Sequence, residues 1–420
     1  MKVCVIGSGG REHALAWRLS ISPSVTKVYA IPGSAAMSDC AELVGIDWQQ
    51  SDHLISFLKD NQVDLVVVGP EAPLVAGLAD VLNKVGIPVF GPSKAAAQLE
   101  GSKVFAKNLM KKYNIPTAAY GVFHKVDEAK TFIAQIGAPI VVKADGLAAG
   151  KGVVVAMTVD EANEAVEDML SGNRFGDAGS TVVIEEFMEG EEASLLAFVD
   201  GKTVVPMIAS QDHKRIFDGD KGANTGGMGT YAPAPVLTDA LRDEAMKTIL
   251  EPMVAAMEKE GMPYVGCLYA GLMITDEGPK VVEFNARFGD PETQVVLPLL
   301  DSDLGQIMMA CATGILTVDM VKWKDSSAAC VILASKGYPE TSSKGDVISG
   351  DIKQYDTTIV FHSGTKLVGE NYVTNGGRVL GVVGLGKDLR TALDRAYGRI
   401  EHIDFEGMQY RTDIGAKAFK

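Results

Sequence analysis

The chain has 420 residues, of which 47% are hydrophobic and 22% are charged, a composition typical of a globular protein of two to four domains with large cores. Its formal net charge of −15 disfavours nucleic acid as a ligand, because binding to a phosphate backbone requires a basic surface. The five cysteines are scattered without a Cys-x-x-Cys pair, which argues against a disulfide or zinc framework, and no apolar run is long enough to span a membrane. We therefore expect a cytoplasmic protein that binds neither nucleic acid nor a membrane.

The first hundred residues alternate short apolar strands with helices. Strands are predicted at residues 2–6, 25–31, 64–68 and 88–90, with helices ending near residue 20 and spanning 52–60. This alternation predicts a doubly wound parallel sheet, whose ligands bind beyond the carboxyl ends of the strands.

A glycine turn follows the first strand and precedes the first helix. Its backbone amides, Gly9 and Gly10 among them, could hold a phosphate with the help of the helix dipole. His13 and Ala14 stand where a dinucleotide site needs its third glycine, so a single phosphate fits the spacing better. The alternative is a tight turn without a ligand. Glu71, beyond a later strand, is either an acceptor for ribose hydroxyls or a helix-start carboxylate.

A hairpin of strand, glycine-rich loop and strand is predicted, with Lys143 on one side of the loop and Lys151 on the other. Its amides and ammonium groups could neutralise a triphosphate. It is not a Walker A loop, because Gly152 leads into a strand and not into Ser/Thr and a helix. Surface lysines are the alternative, but Lys143 lies within an apolar strand, where an unpaired charge is costly.

Residues 211–229 are too rich in glycine for a core element and too long for a simple turn, which indicates a loop in contact with substrate. Asp212, Lys214 and Asn224 are its polar candidates. His213 receives no catalytic role.

The stretch from residue 280 to 292 is an apolar strand that ends in a polar loop. Glu283 and Asn285 face the same side of the strand, because strand side chains repeat every second residue, and two oxygen ligands on one face suit Mg²⁺. Arg287 continues the alternation as an anion donor beside the proposed metal. The alternative is a strand running into a charged turn.

A third unit begins near residue 328, with strands near 330–333, 359–362 and 380–385 and a helix near 388–402. The turn at 375–379 predicts a hairpin. We expect an α/β and α+β multidomain fold: a doubly wound parallel sheet at 1–102, a central domain at 103–325 with a lid at about 120–190, and a small mixed α/β domain at 326–420.

The sequence resembles the phosphoribosylamine–glycine ligase family of the ATP-grasp superfamily over its full length. The resemblance is carried by residues 5–15, 68–74, 143–152 and 224–229, by Gln211-Asp212-His213-Lys214-Arg215, and most specifically by Arg287-Phe288-Gly289-Asp290-Pro291-Glu292. It implies an ATP-grasp central domain and an enzyme of purine biosynthesis that makes glycinamide ribonucleotide, ADP and phosphate from ATP, glycine and 5-phosphoribosylamine through glycyl phosphate.

The resemblance also implies roles for individual residues. Lys103 and Lys143 match the family's ATP phosphate lysines, and Glu185, Phe187 and Glu192 its adenine and ribose contacts. Glu283 and Asn285 match its ligands for Mg²⁺ or Mn²⁺, and Arg287 its anion clamp near the reacting carboxylate. The catalytic residues are expected to be Arg287, Lys143 and Asp290. Many ATP-grasp enzymes also carry a metal carboxylate on the strand before the metal pair, but the strand at 268–274 has none, which leaves open what would hold a second metal. The remaining matches are expected to bind the acceptor substrate, phosphoribosylamine. Gly9, Gly10 and Glu71 would hold its phosphoribosyl end, and Asp212, Lys214 and Asn224 would line the substrate pocket.

Three other interpretations of the function are open. The protein could be an ATP-grasp ligase or carboxylase that acts on a different carboxylate, or a regulatory protein that binds a nucleotide without turnover. The third interpretation is a dehydrogenase, which rests on the N-terminal glycine turn alone. We expect a monomer or a weak dimer.

Overall fold

The computed structural model describes residues 1–146, 152–171 and 180–419. Among the helices in these ranges, none has the length and hydrophobicity needed to cross a lipid bilayer.

The N-terminal region forms the predicted doubly wound parallel sheet, with strand order β3-β2-β1-β4-β5. Alternate residues of β1 enter two cores, since Val3 and Val5 pack with α1 while Cys4 and Ile6 pack with α2 and α4. A sheet covered on both faces explains why β1 and β4 are continuous apolar runs. The elements are β1 (Lys2–Gly7), α1 (Gly10–Ser20), β2 (Lys27–Pro32), β3 (Glu42–Leu43), α2 (Ser51–Asp60), β4 (Leu65–Val68), α3 (Glu71–Ala76), α4 (Leu78–Lys84) and β5 (Val89–Phe90).

A separate antiparallel sheet of order β6-β9-β7-β8 follows, packed against two helices through its own apolar core. It lies within the range expected for the lid. The elements are α5 (Gln98–Gly101), α6 (Lys103–Lys112), β6 (Tyr120–Phe123), α7 (Val126–Ile136), β7 (Ile140–Ala144), β8 (Val153–Ala156), α8 (Val159–Leu170) and β9 (Val182–Glu186).

The rest of the central region is built on an antiparallel sheet of order β11-β10-β16-β17 and a two-stranded hairpin, β13-β14. The helix predicted at 239–260 contains a π turn at Met246–Leu250, just before Pro252, which cannot continue the α-helical hydrogen bonds. The elements are β10 (Glu191–Asp200), β11 (Val204–Pro206), β12 (Gln211–Asp212), β13 (Arg215–Phe217), β14 (Lys221–Asn224), β15 (Gly229–Ala232), α9 (Asp239–Ala245), α10 (Glu251–Lys259), β16 (Val265–Thr275), β17 (Gly278–Asn285), α11 (Thr293–Leu299) and α12 (Leu304–Thr313).

The C-terminal sheet has the order β12-β15-β18-β23-β20, so two of its strands come from the central part of the chain. The hairpin predicted at 375–379 is wrong: β22 pairs with β21, whereas β23 pairs with β18 and β20. A glycine turn signals a reversal of the chain but not which strands it joins. The elements are β18 (Ser327–Ala334), β19 (Ser349–Gly350), β20 (Thr358–His362), β21 (Thr365–Val368), β22 (Asn371–Thr374), β23 (Arg378–Gly386), α13 (Leu389–Ile400) and β24 (Ile403–Asp404).

Candidate active site

One large cleft lies where the N-terminal sheet, the β6–β9 sheet, the end of β17 and the β13-β14 hairpin meet. Its volume is about 950 Å³, within the range of small-molecule sites. Most candidates from the sequence line it, namely Glu71, Lys103, Lys143, Glu185, Phe187, Glu192, Asp212, Lys214, Asn224, Glu283, Asn285, Arg287 and Asp290. Gly9 and Gly10 are not among the lining residues, and Lys151 lies outside the described residues.

Glu283 and Asn285 stand at the end of β17, as predicted from the strand alternation. The Glu283 side chain is exposed to the cleft, while Asn285 is buried and its Oδ1 accepts a hydrogen bond from Arg287 Nη2 at 3.3 Å. Desolvation by the surrounding walls of the cleft raises the pKa of Glu283, but the charges of Lys143, Lys214 and Lys103 lower it by more, so the pKa lies below its usual value. An ionised carboxylate and an amide oxygen therefore face the same space.

The residue paired with Glu283 on β16 is Gly271, so the neighbouring strand adds no carboxylate at this level. Within the described ranges, no group of three or more His, Cys, Asp or Glu side chains has the arrangement of a metal site. The pair fits an ion such as Mg²⁺, which takes few protein ligands and completes its shell with phosphate oxygens and water.

Arg287 is held among acidic side chains. Its Nη2 lies 2.8 Å from Glu100 Oε1 and its Nε lies 3.4 Å from Glu71 Oε2. Glu100 also accepts the backbone N–H of Ala286 at 2.8 Å, which fixes the loop after β17. Burial lowers the pKa of Arg287, but the charges of Glu100 and Glu71 raise it by more than burial lowers it. The guanidinium therefore stays charged. The sequence reading missed Glu100, which occupies an unremarkable short helix with no motif around it.

The lysines at the other end of the cleft form a buried cluster around Glu185. Lys143 Nζ lies 3.0 Å from both Glu185 oxygens and donates to the Val282 carbonyl at 3.0 Å, while Lys107 Nζ lies 2.9 Å from Glu185 Oε2. The charge of Lys143 is therefore paired within its apolar strand. Two ammonium groups engage the Glu185 carboxylate at Oε2, whereas its Oε1 has no hydrogen-bond partner among the described residues.

Lys103 reaches the lid side of the cleft, where its Nζ donates to the Gly146 carbonyl at 3.0 Å. Burial lowers its pKa, with the charge of Glu283 acting in the opposite direction. Lys107 was missed by the sequence reading, because a lysine in an amphipathic helix is ordinarily a solvated residue.

A second polar network lies beside Glu283. Lys214 Nζ lies 2.7 Å from Asp212 Oδ2 and 4.0 Å from Glu292 Oε1, and the Tyr269 hydroxyl donates to Glu292 at 2.6 Å. Burial lowers the pKa of Lys214, but Asp212 and Tyr269 hold it well above the usual value. Burial also raises the pKa of the nearby Glu192.

His213, between these two network residues in sequence, is buried and bonded on both ring nitrogens. Its Nδ1 lies 3.1 Å from the Gly229 carbonyl, and its Nε2 accepts the Gly415 N–H at 3.4 Å. Burial lowers its pKa to about 4. These contacts give His213 a structural role, and the sequence assigned it no catalytic one.

The N-terminal glycine turn is filled by a side chain of the chain itself. Glu12 Oε2 accepts the Gly9 N–H at 2.7 Å, and a Cβ atom at Gly69 would lie only 2.3 Å from Glu12 Oε1. Glu12 is buried and bonded to Arg11 Nε. The phosphate cradle predicted from the turn is thus occupied at Gly9 by an internal carboxylate.

Asp290 is tied to the C-terminal domain by Arg378, another residue that the sequence reading missed. Arg378 Nη1 donates to the carbonyls of Asp290 at 2.7 Å and Gly226 at 2.8 Å, and its Nη2 lies 3.6 Å from Asp290 Oδ2. Burial raises the pKa of Asp290, but Arg378 and Arg11 bring it below the usual value. Cations from two domains therefore converge on this end of the cleft.

Comparison with known proteins places the whole chain in one family. Residues 1–100, 101–293 and 328–417 match, in order, the N domain, the ATP-grasp (A) domain and the C domain of phosphoribosylglycinamide synthetase. The chain is 53% identical to the phosphoribosylamine–glycine ligase of Halalkalibacterium halodurans over 418 residues, covering 100% of this chain and 97% of that one. It is also 53% identical to the phosphoribosylamine–glycine ligase of Neisseria meningitidis serogroup A over 420 residues, covering 100% and 99%.

Among solved structures, the crystal structure of phosphoribosylamine–glycine ligase from Thermotoga maritima superposes with a TM-score of 0.87 at 34% identity, covering 99% of this chain and 100% of that one. The likeness extends over the N-terminal parallel sheet, the ATP-grasp domain and the C-terminal domain, which confirms the predicted fold class. The chain belongs to the phosphoribosylglycinamide synthetase family of ATP-grasp ligases.

Proposed function

We propose that the chain ligates glycine to 5-phosphoribosylamine with cleavage of ATP, giving glycinamide ribonucleotide, ADP and phosphate in purine biosynthesis. The observation that carries the proposal is the single cleft that unites the Glu283–Asn285 pair, the lysine cluster and the loop at 287–292, in a chain that matches the family from end to end. In the first step a glycine carboxylate oxygen attacks the γ-phosphorus and ADP leaves. In the second, the ribosylamine nitrogen attacks the glycyl carbonyl, phosphate leaves with the electron pair of the broken C–O bond, and the nitrogen releases one proton as the amide forms.

The ATP side of the cleft is built on Lys103 and Lys143, the two lysines assigned to the phosphates, with Lys151 as a further candidate. Phe187 and Glu192 are the contacts proposed for adenine and ribose. Glu185 acts through the lysines, because its carboxylate holds Lys143 and Lys107 in place. With charges already positioned, little reorganisation is needed when the phosphoryl group moves.

Glu283 and Asn285 are the residues that would hold the divalent cation, Mg²⁺ or Mn²⁺. When bound, the cation neutralises charge on the phosphates. Arg287 Nη2 donates to Asn285 Oδ1 and so orients that amide oxygen, while Glu100 and Glu71 hold the guanidinium near the reacting carboxylate.

The acceptor side is proposed to lie toward the N-terminal sheet and the C-terminal domain. Gly9 lies beside this end, since a Cβ atom there would be 3.9 Å from Asp290 Oδ2. Gly10 follows Gly9 in the turn. The charged residues that line this end of the cleft are Arg11, Glu71, Asp290 and Arg378. Asp212, Lys214 and Asn224 complete the pocket for the two non-nucleotide substrates. The domain boundaries at 102/103 and 325/326, the cytoplasmic location and a monomeric or weakly dimeric state stay predictions.

The test is ADP release from the purified protein with ATP, Mg²⁺, glycine and freshly formed phosphoribosylamine, and identification of the product by mass. We expect ADP formation only when both substrates are present, with glycinamide ribonucleotide formed in equal amount. ADP formation with bicarbonate or formate in place of glycine would favour a different carboxylate. ATP binding without turnover would favour a regulatory protein.

A further inference from the structure

The end of the chain is tied to the hairpin β13-β14 by a buried arginine. Arg411 is only 1% exposed, and its Nε and Nη2 each lie 2.7 Å from an oxygen of Asp413. Its Nη1 donates to Asp220 Oδ1 at 2.8 Å and to the Arg215 carbonyl at 3.1 Å. One guanidinium therefore joins the C-terminal segment to the start of β13 and to the turn before β14. Its bonds to carboxylates are charge-assisted.

Further contacts connect the same two segments. The Thr412 N–H and hydroxyl donate to Asp218, and the Gly219 N–H donates to Asp413 Oδ2 at 2.8 Å. Lys417 Nζ lies 2.7 Å from Asp220 Oδ2. We name residues 411–417 the clasp.

Apart from the clasp, the described residues hold the hairpin through Ile216, which packs with Met228 and Ala334, and through the backbone at its base, where the Thr225 N–H donates to the Lys214 carbonyl. The hairpin forms a two-stranded sheet of its own, a structure that is at best marginally stable without external packing. Phe217 is exposed, and Ile216 is its buried apolar anchor. The turn at 218–220 is held to the C-terminal segment by the clasp, so we expect the position of this turn above the cleft to depend on the clasp.

The hairpin matters because it carries cleft residues of the acceptor side. Arg215, Asp220 and Asn224 of the hairpin line the cleft, as does Lys214 directly before β13. The Thr225 N–H donates to the Lys214 carbonyl at 2.8 Å, and the next residue, Gly226, is bound by Arg378, which also holds Asp290. The lysines assigned to ATP come from other elements.

We propose that Arg411 is a positioning residue: through Asp220 and the rest of the clasp it fixes the β13-β14 hairpin so that Lys214 and Asn224 meet the non-nucleotide substrates. The inference rests on the proposed function for the identity of those substrates. Displacement of positioned groups by about 1 Å can cost roughly 100-fold in rate, so a loosened hairpin should weaken use of these substrates measurably.

The experiment compares Arg411→Gln, Arg411→Lys and Asp220→Asn with the control Arg399→Gln. Arg399 forms a comparable arginine–aspartate pair in the same C-terminal region, with its Nη1 2.6 Å from Asp351 Oδ2. Its other side-chain contacts in the described part of the chain are with Lys353 and Tyr355 and not with the hairpin. Asp220→Asn is the variant with the least risk to folding, because Asp220 has a φ of 54°, a conformation that asparagine tolerates.

We expect Arg411→Gln and Asp220→Asn to raise the KM for phosphoribosylamine or glycine by about 10-fold while the KM for ATP changes by less than about 2-fold. Arg411→Lys should lie between these variants and the parent, and Arg399→Gln should behave as the parent. Trypsin should also cleave faster at the exposed Lys221 in Arg411→Gln, because the hairpin is released.

The outcomes separate the two proposals. A parent that forms no ADP with both substrates contradicts the proposed function itself. If the parent is active, the clasp proposal is overturned when folded Asp220→Asn and Arg411→Gln match Arg399→Gln in every KM, or when the KM for ATP rises as much as the others. Should Arg411→Gln fail to fold, Asp220→Asn alone decides.

Discussion

The charge of Glu283 is the residue-scale feature on which the proposed chemistry depends most. Lys103, Lys143 and Lys214 surround it and keep it ionised. Glu283→Gln preserves the shape but removes the charge, so we expect ADP formation at limiting Mg²⁺ to fall at least about 100-fold. Because the side chain is exposed to the cleft, the melting temperature should change little.

Glu277→Gln is the matched control for this experiment. Glu277 lies on the turn of the same β16-β17 hairpin and pairs with Lys280 at the surface. Parent-like turnover of Glu283→Gln at limiting Mg²⁺ would reject Glu283 as a ligand.

Lys143 allows charge and packing to be tested separately. Lys143→Met keeps the stem and deletes the ammonium group, and we expect the affinity for ATP and the turnover to fall at least about 10-fold. Lys107→Met breaks the same buried cluster at Glu185 and should cost similar stability, about 3 kcal/mol, with a smaller loss of ATP affinity. ATP titrations and thermal melts of both variants provide the measurement. Equal losses of affinity would show that Lys143 acts only through the cluster.

At the scale of elements, the most specific prediction concerns a substitution at Gly9, the residue that precedes α1. Gly9 has a φ of −85°, so a side chain there meets no backbone strain, but its Cβ would lie 2.9 Å from Glu12 Oε2. Gly9→Val should displace that carboxylate and crowd Asp290, which raises the KM for phosphoribosylamine and leaves the KM for ATP nearly unchanged.

Gly7→Ala is the comparison for Gly9→Val. Gly7 has a φ of 123° and a Cβ there would lie 2.4 Å from Glu12 Cγ, so this variant should lose stability as well as activity. A folded Gly9→Val protein that loses ATP affinity selectively would contradict the assignment of this domain.

The individual elements were largely predictable from the sequence, because local patterns determine them. The valine-rich strands β4 and β7, the glycine turn before α1 and the alternation of Glu283 and Asn285 all follow from residues near in sequence. What local pattern could not predict is which elements meet. The failed hairpin before β23 is an example, since the partners of that strand come from elsewhere in the chain.

At the scale of the whole molecule, the site depends on pairs of residues that are distant in sequence. Arg287 with Glu100, Asp290 with Arg378, and Arg411 with Asp220 each join different parts of the chain. No spacing rule identifies such pairs, and an arginine in a strand or tail has many ordinary explanations. In two of these pairs the family motifs identified one residue, Arg287 or Asp290. Its partner, Glu100 or Arg378, is evident only in the folded structure.

Two buried histidines, His13 and His213, accept hydrogen bonds from the C-terminal domain, and a third, His362, is buried within that domain. His13 Nδ1 accepts the His362 N–H at 3.0 Å, and His213 Nε2 accepts the Gly415 N–H, contacts that require neutral rings. Burial lowers the pKa of His13 to about 3 and those of His213 and His362 to about 4, from an ordinary value of 6.5.

Because the folded pKa values lie below the unfolded ones, the unfolded chain takes up protons first as the pH falls below 6.5. Their contribution to stability is therefore complete above pH 6.5 and is lost, by about 1.4 kcal/mol per pH unit for each histidine, as the pH falls toward about 4 for His213 and His362 and toward about 3 for His13. We expect the urea midpoint to drop between pH 7 and pH 5, a window above the ordinary pKa values of Asp and Glu. His213→Gln should reduce that drop by roughly a third, whereas His53→Gln, at an exposed position, should not. A midpoint that stays constant from pH 7 to pH 5 would show that these histidines are protonated in the folded protein.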